Sequence, residues 1–145
     1  CFLNMTSNTG RGEMWRAVLE SIAYEYLSLV QSLRSHGIPV NKIVVTEGGS
    51  KSDLWNQIKA DVLDAEAHTL KRKEGAVMAN IALAAYAVGD SGDLKADISS
   101  RIEAKNVYRP NPENTAYYRN AFATQQKLIR QDMQAAFRTM GQLKK

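Results

Sequence analysis

The sequence has 145 residues, of which 44% are hydrophobic and 23% are charged, and its formal net charge is +4. This size and composition fit one globular domain with its own core, while the scattered basic residues argue against a nucleic-acid-binding protein. One cysteine excludes an internal disulfide framework, and no apolar run has the length of a membrane span. We therefore expect a cytoplasmic protein with no nucleic-acid partner and no membrane segment.

The chain starts at Cys1 and not at a methionine, so we expect a fragment of a longer protein. The alternative is an N-terminal nucleophile, in which the free α-amine activates the Cys1 thiol. Because the sequence contains no signal for the rest of such a site, we prefer truncation.

A long amphipathic helix is the first predicted element. Apolar residues recur at steps of three and four between residues 14 and 33, and they place Trp15 on the apolar face. Residues 36–39, His-Gly-Ile-Pro, predict its end, with Gly37 in the left-handed conformation. The β-branched run 42–46 then predicts a strand that is buried on both faces.

A second helix and a second strand follow. The helix is expected to start at Ser50 or Ser52, because Ser50 and Asp53 have the spacing of a capping box. Residues 67–70 predict a weaker strand, and the alanine-rich run 74–88 predicts a helix that packs closely against a sheet.

The last part of the chain is predicted to be mostly helical. Residues 90–106 are polar and indicate only a helical turn near 94–102. Asn111 as cap and Pro112 in the first turn predict a long final helix that reaches Met140. The two strands must run parallel because helices connect them, so we predict a helix-rich α/β layer. Its uncovered sheet edge predicts further strands upstream or from a second copy, and thus a possible homodimer.

The turn Glu47-Gly48-Gly49-Ser50 joins the first strand to the second helix. Free backbone N–H groups and the positive end of a helix dipole at the carboxyl end of a parallel strand commonly bind nucleotides and phosphates. Glycine also lets a ligand approach the main chain directly. A tight turn without a ligand is the alternative, and neither G-x-G-x-x-G nor G-x-x-x-x-G-K-[ST] is present.

Single residues give further predictions. Trp15 and Trp55 fall on apolar helix faces and are predicted to be core residues, with Trp55 also able to brace the glycine turn. Asp61 lacks a partner acid or base, which indicates an exposed or capped carboxylate and not a catalytic group. Arg16 and Glu20 are four residues apart and predict an ion pair on one helix.

No metal site is predicted in this chain. Its two histidines, His36 and His68, have no second ligand at helical or turn spacing. His36 is explained more simply as a residue at the C-terminal end of a helix, where the dipole favours a partly charged imidazole.

Four segments of the sequence resemble the FGGY carbohydrate kinases. Residues 48–62 are similar to the G-G-G-[AS]-K-S-x-x-W-x-Q-x-x-A-D-V segment of that family, which is the most specific match. Residues 16–23 resemble its R-A-x-L-E-G-[IV]-A helix. The other two supporting matches, in family order, are residues 74–76 with the alanines that follow them, and 110–113 with the tyrosines at 117 and 118.

The resemblance implies a partial ribonuclease H-like, actin-like ATPase domain, with residues 1–145 forming one fragment of a kinase's C-terminal domain. It implies transfer of the ATP γ-phosphate to a sugar or polyol hydroxyl. Gly48, Gly49 and Ser50 would then pack against the adenosine of ATP, and Asp53 would approach the adenine. The catalytic base and the sugar and magnesium contacts would lie upstream of Cys1, so the fragment alone should be inactive.

Two departures from the family pattern affect the nucleotide side. Glu47 replaces a glycine, and because a carboxylate repels phosphate we expect it to accept a hydrogen bond from a ribose hydroxyl. Ala79 and Asn80 stand where the family has glycine and alanine, which would reshape the adenine side. A helical protein-interaction module without catalysis, built on residues 112–140, is the alternative function.

Overall fold

The computed structural model describes residues 2–46, 48–71, 75–101 and 103–142. The elements in chain order are α1 (Arg11–Ser35), β1 (Lys42–Val45), a 3₁₀ turn (Gly48–Lys51), α2 (Asp53–Leu63), β2 (Glu66–Leu70), α3 (Gly75–Ala87), α4 (Leu94–Arg101), β3 (Ala104–Tyr108), α5 (Pro112–Lys127), a π-helical segment (Leu128–Asp132) and α6 (Gln134–Gln142). Within these ranges no helix combines the length and apolarity that crossing a membrane requires.

The sheet has three strands in the order β1-β2-β3, and not two as the sequence predicts. β1 and β2 are parallel as predicted, with Val45 opposite Thr69. β3 joins the other side of β2 in the antiparallel direction, with Tyr108 opposite Ala67. The side chains of β3 before Tyr108 are exposed, so this strand lacks the hydrophobic pattern from which a strand can be recognised.

β1 lies at one edge of the described sheet, and this position changes its burial. The sequence predicts a strand buried on both faces, but Val44 is 45% exposed while Val45 is buried. That prediction is wrong because a run of β-branched residues does not say whether a strand is central or at an edge.

Helix α2 is the central element of the core. One side packs on α1 and α5 in a cluster that includes Leu27, Ile58 and Phe122, and the other contributes Ala60 to a smaller cluster on the sheet. The consecutive residues 58–63 are all buried. At the C-terminal end of α2, the Arg34 guanidinium donates to the carbonyls of Leu63 and Asp64 at 3.0 and 3.1 Å. The helix that follows the glycine turn is thus fixed from several directions.

A polar network connects α1 to α5. Arg16 Nε and the Tyr118 hydroxyl each donate to Glu20 Oε1 at 2.8 Å, and Arg16 also donates to the Tyr118 oxygen at 2.9 Å. The predicted Arg16–Glu20 ion pair is therefore confirmed. Burial, followed by the Glu20 carboxylate, raises the pKa of Tyr118 to about 12.

Helix α1 has a second apolar face, and this explains an error in the predicted core. Trp15 is 62% exposed and is not a core residue. The buried stripe of α1 runs through Leu19, Ala23, Tyr24, Leu27 and Val30. The exposed stripe contains Trp15, Ile22, Tyr26 and Leu29. Because both stripes have helical spacing, periodicity alone cannot distinguish them.

Two later elements also differ from the prediction. The expected single helix from Pro112 to Met140 is interrupted by the π-helical segment, and Met133 ends that segment with φ −102°. Helix α3 packs mainly on α4, where the sequence predicts packing on the sheet. The predicted N-cap Asn111 is confirmed, since its side chain accepts from the Glu113 N–H.

Candidate functional site

The glycine turn lies where the sequence predicts it, between the carboxyl end of β1 and the start of α2. Ser52 caps α2, and its hydroxyl accepts from the Trp55 N–H at 3.2 Å. The predicted capping box of Ser50 and Asp53 is wrong because Ser50 is part of the 3₁₀ turn. The positive end of the α2 dipole therefore points at the turn.

The two glycines of the turn have different surroundings. Apart from its chain neighbours, a Cβ added at Gly48 would meet no described atom within 4 Å, whereas one at Gly49 would lie 3.4 Å from Trp55 Nε1 and 3.6 Å from Lys59 Nζ. The turn thus has an open side at Gly48 and a covered side at Gly49. Neither glycine has a positive φ, so the backbone conformation does not require glycine here. A bare main chain at Gly48 is instead the feature that close approach of a ligand would need.

Two buried polar side chains of α2 lie under the covered side. Asn56 Nδ2 donates to the Ser50 carbonyl at 2.9 Å, and Lys59 Nζ donates to the Gly49 carbonyl at 3.4 Å and to Asn56 Oδ1 at 3.3 Å. Sequence reasoning missed both residues because polar residues on a helix are normally solvated. Their spacing of three, directly after a glycine turn, is the signal that could have identified them.

Trp55 packs against the main core, as predicted, and its indole ring lies beside Gly49. It is half-buried, and its ring centroid is 4.5 Å from Lys59 Nζ, a cation–π contact. Trp55 also lines a cleft of about 460 Å³ between α1, β1 and α2. The other lining residues are Tyr26, Leu29, Val30, Ile43, Val44, Val45, Thr46, Gly49, Lys59 and Leu63.

Burial lowers the pKa of Lys59 to about 8 from its ordinary value of 10.5. Between these values the unfolded chain binds a proton that the folded chain lacks, so folding becomes more favourable as the pH rises. From about pH 7.5 to pH 9.5 we expect the free energy of unfolding to increase by about 1 to 2 kcal/mol relative to a Lys59→Met variant.

Urea unfolding of both proteins at the two pH values measures this difference. The pKa values of Tyr24 and Tyr118 are raised by burial, which keeps their hydroxyls protonated in the folded state over this range. If the free energy of unfolding changed with pH equally in the wild type and in Lys59→Met, Lys59 would have its ordinary pKa.

Asp53 stands in the first turn of α2, beside the glycine turn, and is exposed. Its Oδ1 accepts from the Tyr108 hydroxyl at 2.6 Å, and Asn106 Nδ2 donates to the Tyr108 oxygen at 3.3 Å. The fold thus places Gly48, Gly49, Ser50 and Asp53 next to one another. Tyr108 was missed because its strand was not predicted. Glu47 lies outside the described residues.

Asp61 is buried, and its carboxylate fixes the start of α5. Oδ1 accepts from Gln57 Nε2 and from the Asn111 N–H, and Oδ2 accepts from Asn114 Nδ2, all at 2.8 Å. The prediction of a capped carboxylate is correct, but Asp61 is not exposed. Its three donors indicate a structural role that links α2 to α5.

Comparisons with known proteins agree on one family. The model of the FGGY family of carbohydrate kinases, C-terminal domain, matches residues 1–88. The xylulose kinase of Staphylococcus epidermidis is 29% identical over 133 residues, which cover 92% of this chain and 27% of that protein. The L-fuculokinase of Escherichia coli is 34% identical over 87 residues, which cover 59% of this chain and 18% of that protein.

Solved structures give the same result. The gluconate kinase of Lactobacillus acidophilus superimposes with a TM-score of 0.81 at 29% sequence identity. The ligand-bound xylulose kinase of the same organism superimposes with a TM-score of 0.79 at 27% identity. Each match covers 97% of this chain and 28% of the solved chain. Plasmodium falciparum glycerol kinase with ADP shares the fold, with a TM-score of 0.71 at 24% identity. This match covers 84% of this chain and 25% of the solved chain. The chain therefore spans about a quarter of the length of these relatives.

Proposed function

This chain belongs to the FGGY family of carbohydrate kinases, and we propose that it forms the nucleotide side of an ATP-dependent kinase that phosphorylates a sugar or polyol. Its fold is that of the corresponding part of these kinases, a partial actin-like ATPase domain. On this proposal, residues 1–145 are a fragment of the C-terminal domain, and the enzyme acts in the cytoplasm, where ATP is available.

The open side of Gly48 is the observation that carries the proposal. It lies at the carboxyl end of a parallel strand and at the N-terminal end of α2, the location at which open α/β sheets bind nucleotides. A Cβ at Gly48 would project into open space, where the nucleoside is proposed to rest. Gly49 and Ser50 complete this platform for the adenosine.

Asp53 is proposed to approach the adenine. Its Oδ1 accepts from Tyr108, and no hydrogen bond to Oδ2 is present within the described ranges. A carboxylate oxygen is a hydrogen-bond acceptor, so Oδ2 can accept from an exocyclic amino group of the base. Glu47, which lies outside the described residues, is proposed to accept from a ribose hydroxyl.

Bound ATP supplies the phosphoryl group that is transferred, and this chain's residues contribute positioning. Catalysis of phosphoryl transfer rests largely on alignment and on neutralisation of charge. Gly48, Gly49 and Ser50 fix the nucleoside, and Asp53 fixes the base. In the part of the chain that the structure describes, no three His, Cys, Asp or Glu side chains come together. We propose that the magnesium contacts, the sugar contacts and the catalytic base lie in other parts of the full-length protein, as the family resemblance implies.

The full-length protein is expected to phosphorylate a sugar or polyol with ATP, whereas the isolated 145-residue chain should show no sugar-dependent ATP hydrolysis. A coupled ADP-release assay measures both, with xylulose, gluconate, glycerol and L-fuculose as the first substrates, because the relatives are named for acting on such compounds.

Two further results would decide against parts of this proposal. Turnover by the isolated chain would contradict the assignment of catalysis to other segments. In the active full-length enzyme, a Glu47→Gln variant with an unchanged KM for ATP would refute the ribose contact.

A further inference from the structure

Lys59 is an unusual residue for the position it occupies. It is 5% exposed, and the side chains that line the same cleft from α1 and β1 are mostly apolar. Burial of an ammonium group is costly unless it is paired. No carboxylate lies within ion-pair distance of Lys59 in the described ranges, where its partners are two oxygens and the Trp55 ring. Packing alone would favour an apolar residue of similar length.

The contacts of Lys59 converge on the glycine turn. Its side chain runs back along α2 from one turn after Trp55, and its ammonium reaches the Gly49 carbonyl. Asn56, which is fully buried, connects Lys59 to the turn. Its side-chain oxygen accepts from Lys59, and its amide nitrogen donates to the Ser50 carbonyl. Two consecutive carbonyls of the turn are thereby held towards α2.

We propose that Lys59 and Asn56 are positioning residues for the nucleotide, which hold the Gly49 and Ser50 carbonyls inward so that the open side of Gly48 faces the nucleoside. This inference rests on the proposed function. On this proposal neither side chain touches the ligand, because Asn56 is fully buried and Lys59 is 5% exposed.

The two residues also determine from which side a ligand can reach the turn. Lys59 and Trp55 occupy the space next to Gly49, so the turn is more open at Gly48, which is exposed, than at Gly49, which is half-buried. If Lys59 loses its donor group, the Gly49 carbonyl loses a charge-assisted hydrogen bond, and the turn can rotate. The expected result is weaker binding of ATP with unchanged chemistry, because the reacting groups lie elsewhere.

Lys59→Met in the full-length protein is the direct test, because methionine keeps the length of the side chain and removes the charge. We expect the KM for ATP to rise about fivefold, with kcat at saturating ATP and the KM for the sugar within about twofold of the wild type. Lys42→Met is the matched control. Lys42 is exposed at the first position of β1, the end of the strand that is away from the turn, so all three constants should be unchanged.

Asn56→Asp provides a second variant in case Lys59→Met does not fold. The aspartate keeps an oxygen for Lys59 and loses the amide that donates to the Ser50 carbonyl, so the KM for ATP should again rise selectively. A folded variant with unchanged KM for ATP, or with kcat and both KM values altered together, would overturn the positioning role.

The outcome for the wild type separates the two proposals. A wild-type protein that neither binds nor uses ATP would refute the proposed function. A wild type that uses ATP, combined with unaltered ATP binding in folded Lys59→Met and Asn56→Asp variants, would refute only the positioning role.

Discussion

Replacement of Gly48 by leucine in the full-length protein is expected to raise the KM for ATP at least about thirtyfold, which corresponds to about 2 kcal/mol of lost binding. The reason is steric. The position has no positive φ, and an added Cβ meets no described atom within 4 Å apart from its chain neighbours, so a side chain can begin here without a clash at its first carbon. The same side chain would fill the space in which the nucleoside is proposed to rest.

Steady-state kinetics with varied ATP, together with thermal unfolding, measure this effect. The melting temperature should stay within about two degrees of the wild type, because Gly48 is exposed and an added Cβ clashes with no described atom outside its chain neighbours. Gly12→Leu is the matched control, since a Cβ at Gly12 also meets nothing within 4 Å but lies in the first turn of α1. Equal KM values for ATP in the two variants would mean that no ligand contacts the turn at Gly48.

Asp61→Ala is expected to lower the free energy of unfolding by about 3 kcal/mol, because it removes a buried carboxylate that accepts three part-buried hydrogen bonds. The donors are Gln57 Nε2, the Asn111 N–H and Asn114 Nδ2. Two of them lie at the start of α5, whose residues Tyr118 and Phe122 belong to the main core. Loss of the Asp61 carboxylate should therefore weaken the packing of α5 on α2. Urea unfolding of the full-length variant measures the loss.

Asp61→Asn separates a structural role from a catalytic one. Asparagine keeps one oxygen for Gln57 and the Asn111 N–H, and the Asn114 amide can turn to accept from the new Nδ2. We expect less than about half of the destabilisation of Asp61→Ala, and a kcat close to that of the wild type. A stable Asp61→Asn protein with kcat reduced by about a hundredfold or more would mean that the carboxylate takes part in the reaction.

The sequence allowed prediction of the features that depend on local signals. The strand-to-helix turn at Gly48 and Gly49, the end of α1 just before Gly37 and the cap at Asn111 each rest on the conformational preferences of one to three residues. These preferences are the same in most tertiary surroundings. The segment 48–62 could also be matched to a family, because its pattern of residues is specific.

Features that depend on tertiary contacts were missed or predicted wrongly. β3 is defined by hydrogen bonds to β2 and has mostly exposed side chains, so it carries no hydrophobic signal. The roles of Lys59 and Asn56 depend on the turn folding back over α2, which no local pattern shows. Trp15 was misplaced because α1 has two apolar stripes and only one of them is covered.

The burial of α2 on both sides has a consequence for nucleotide recognition. A helix that is fixed between α1, α5 and the sheet has little conformational freedom, and its polar residues impose that rigidity on the adjoining loop. The backbone that is proposed to meet the nucleoside is therefore pre-organised, and the entropic cost of its ordering is met during folding and not on association. Any closure of the enzyme around its substrates would then move this segment as a rigid body, with the flexible hinge located elsewhere.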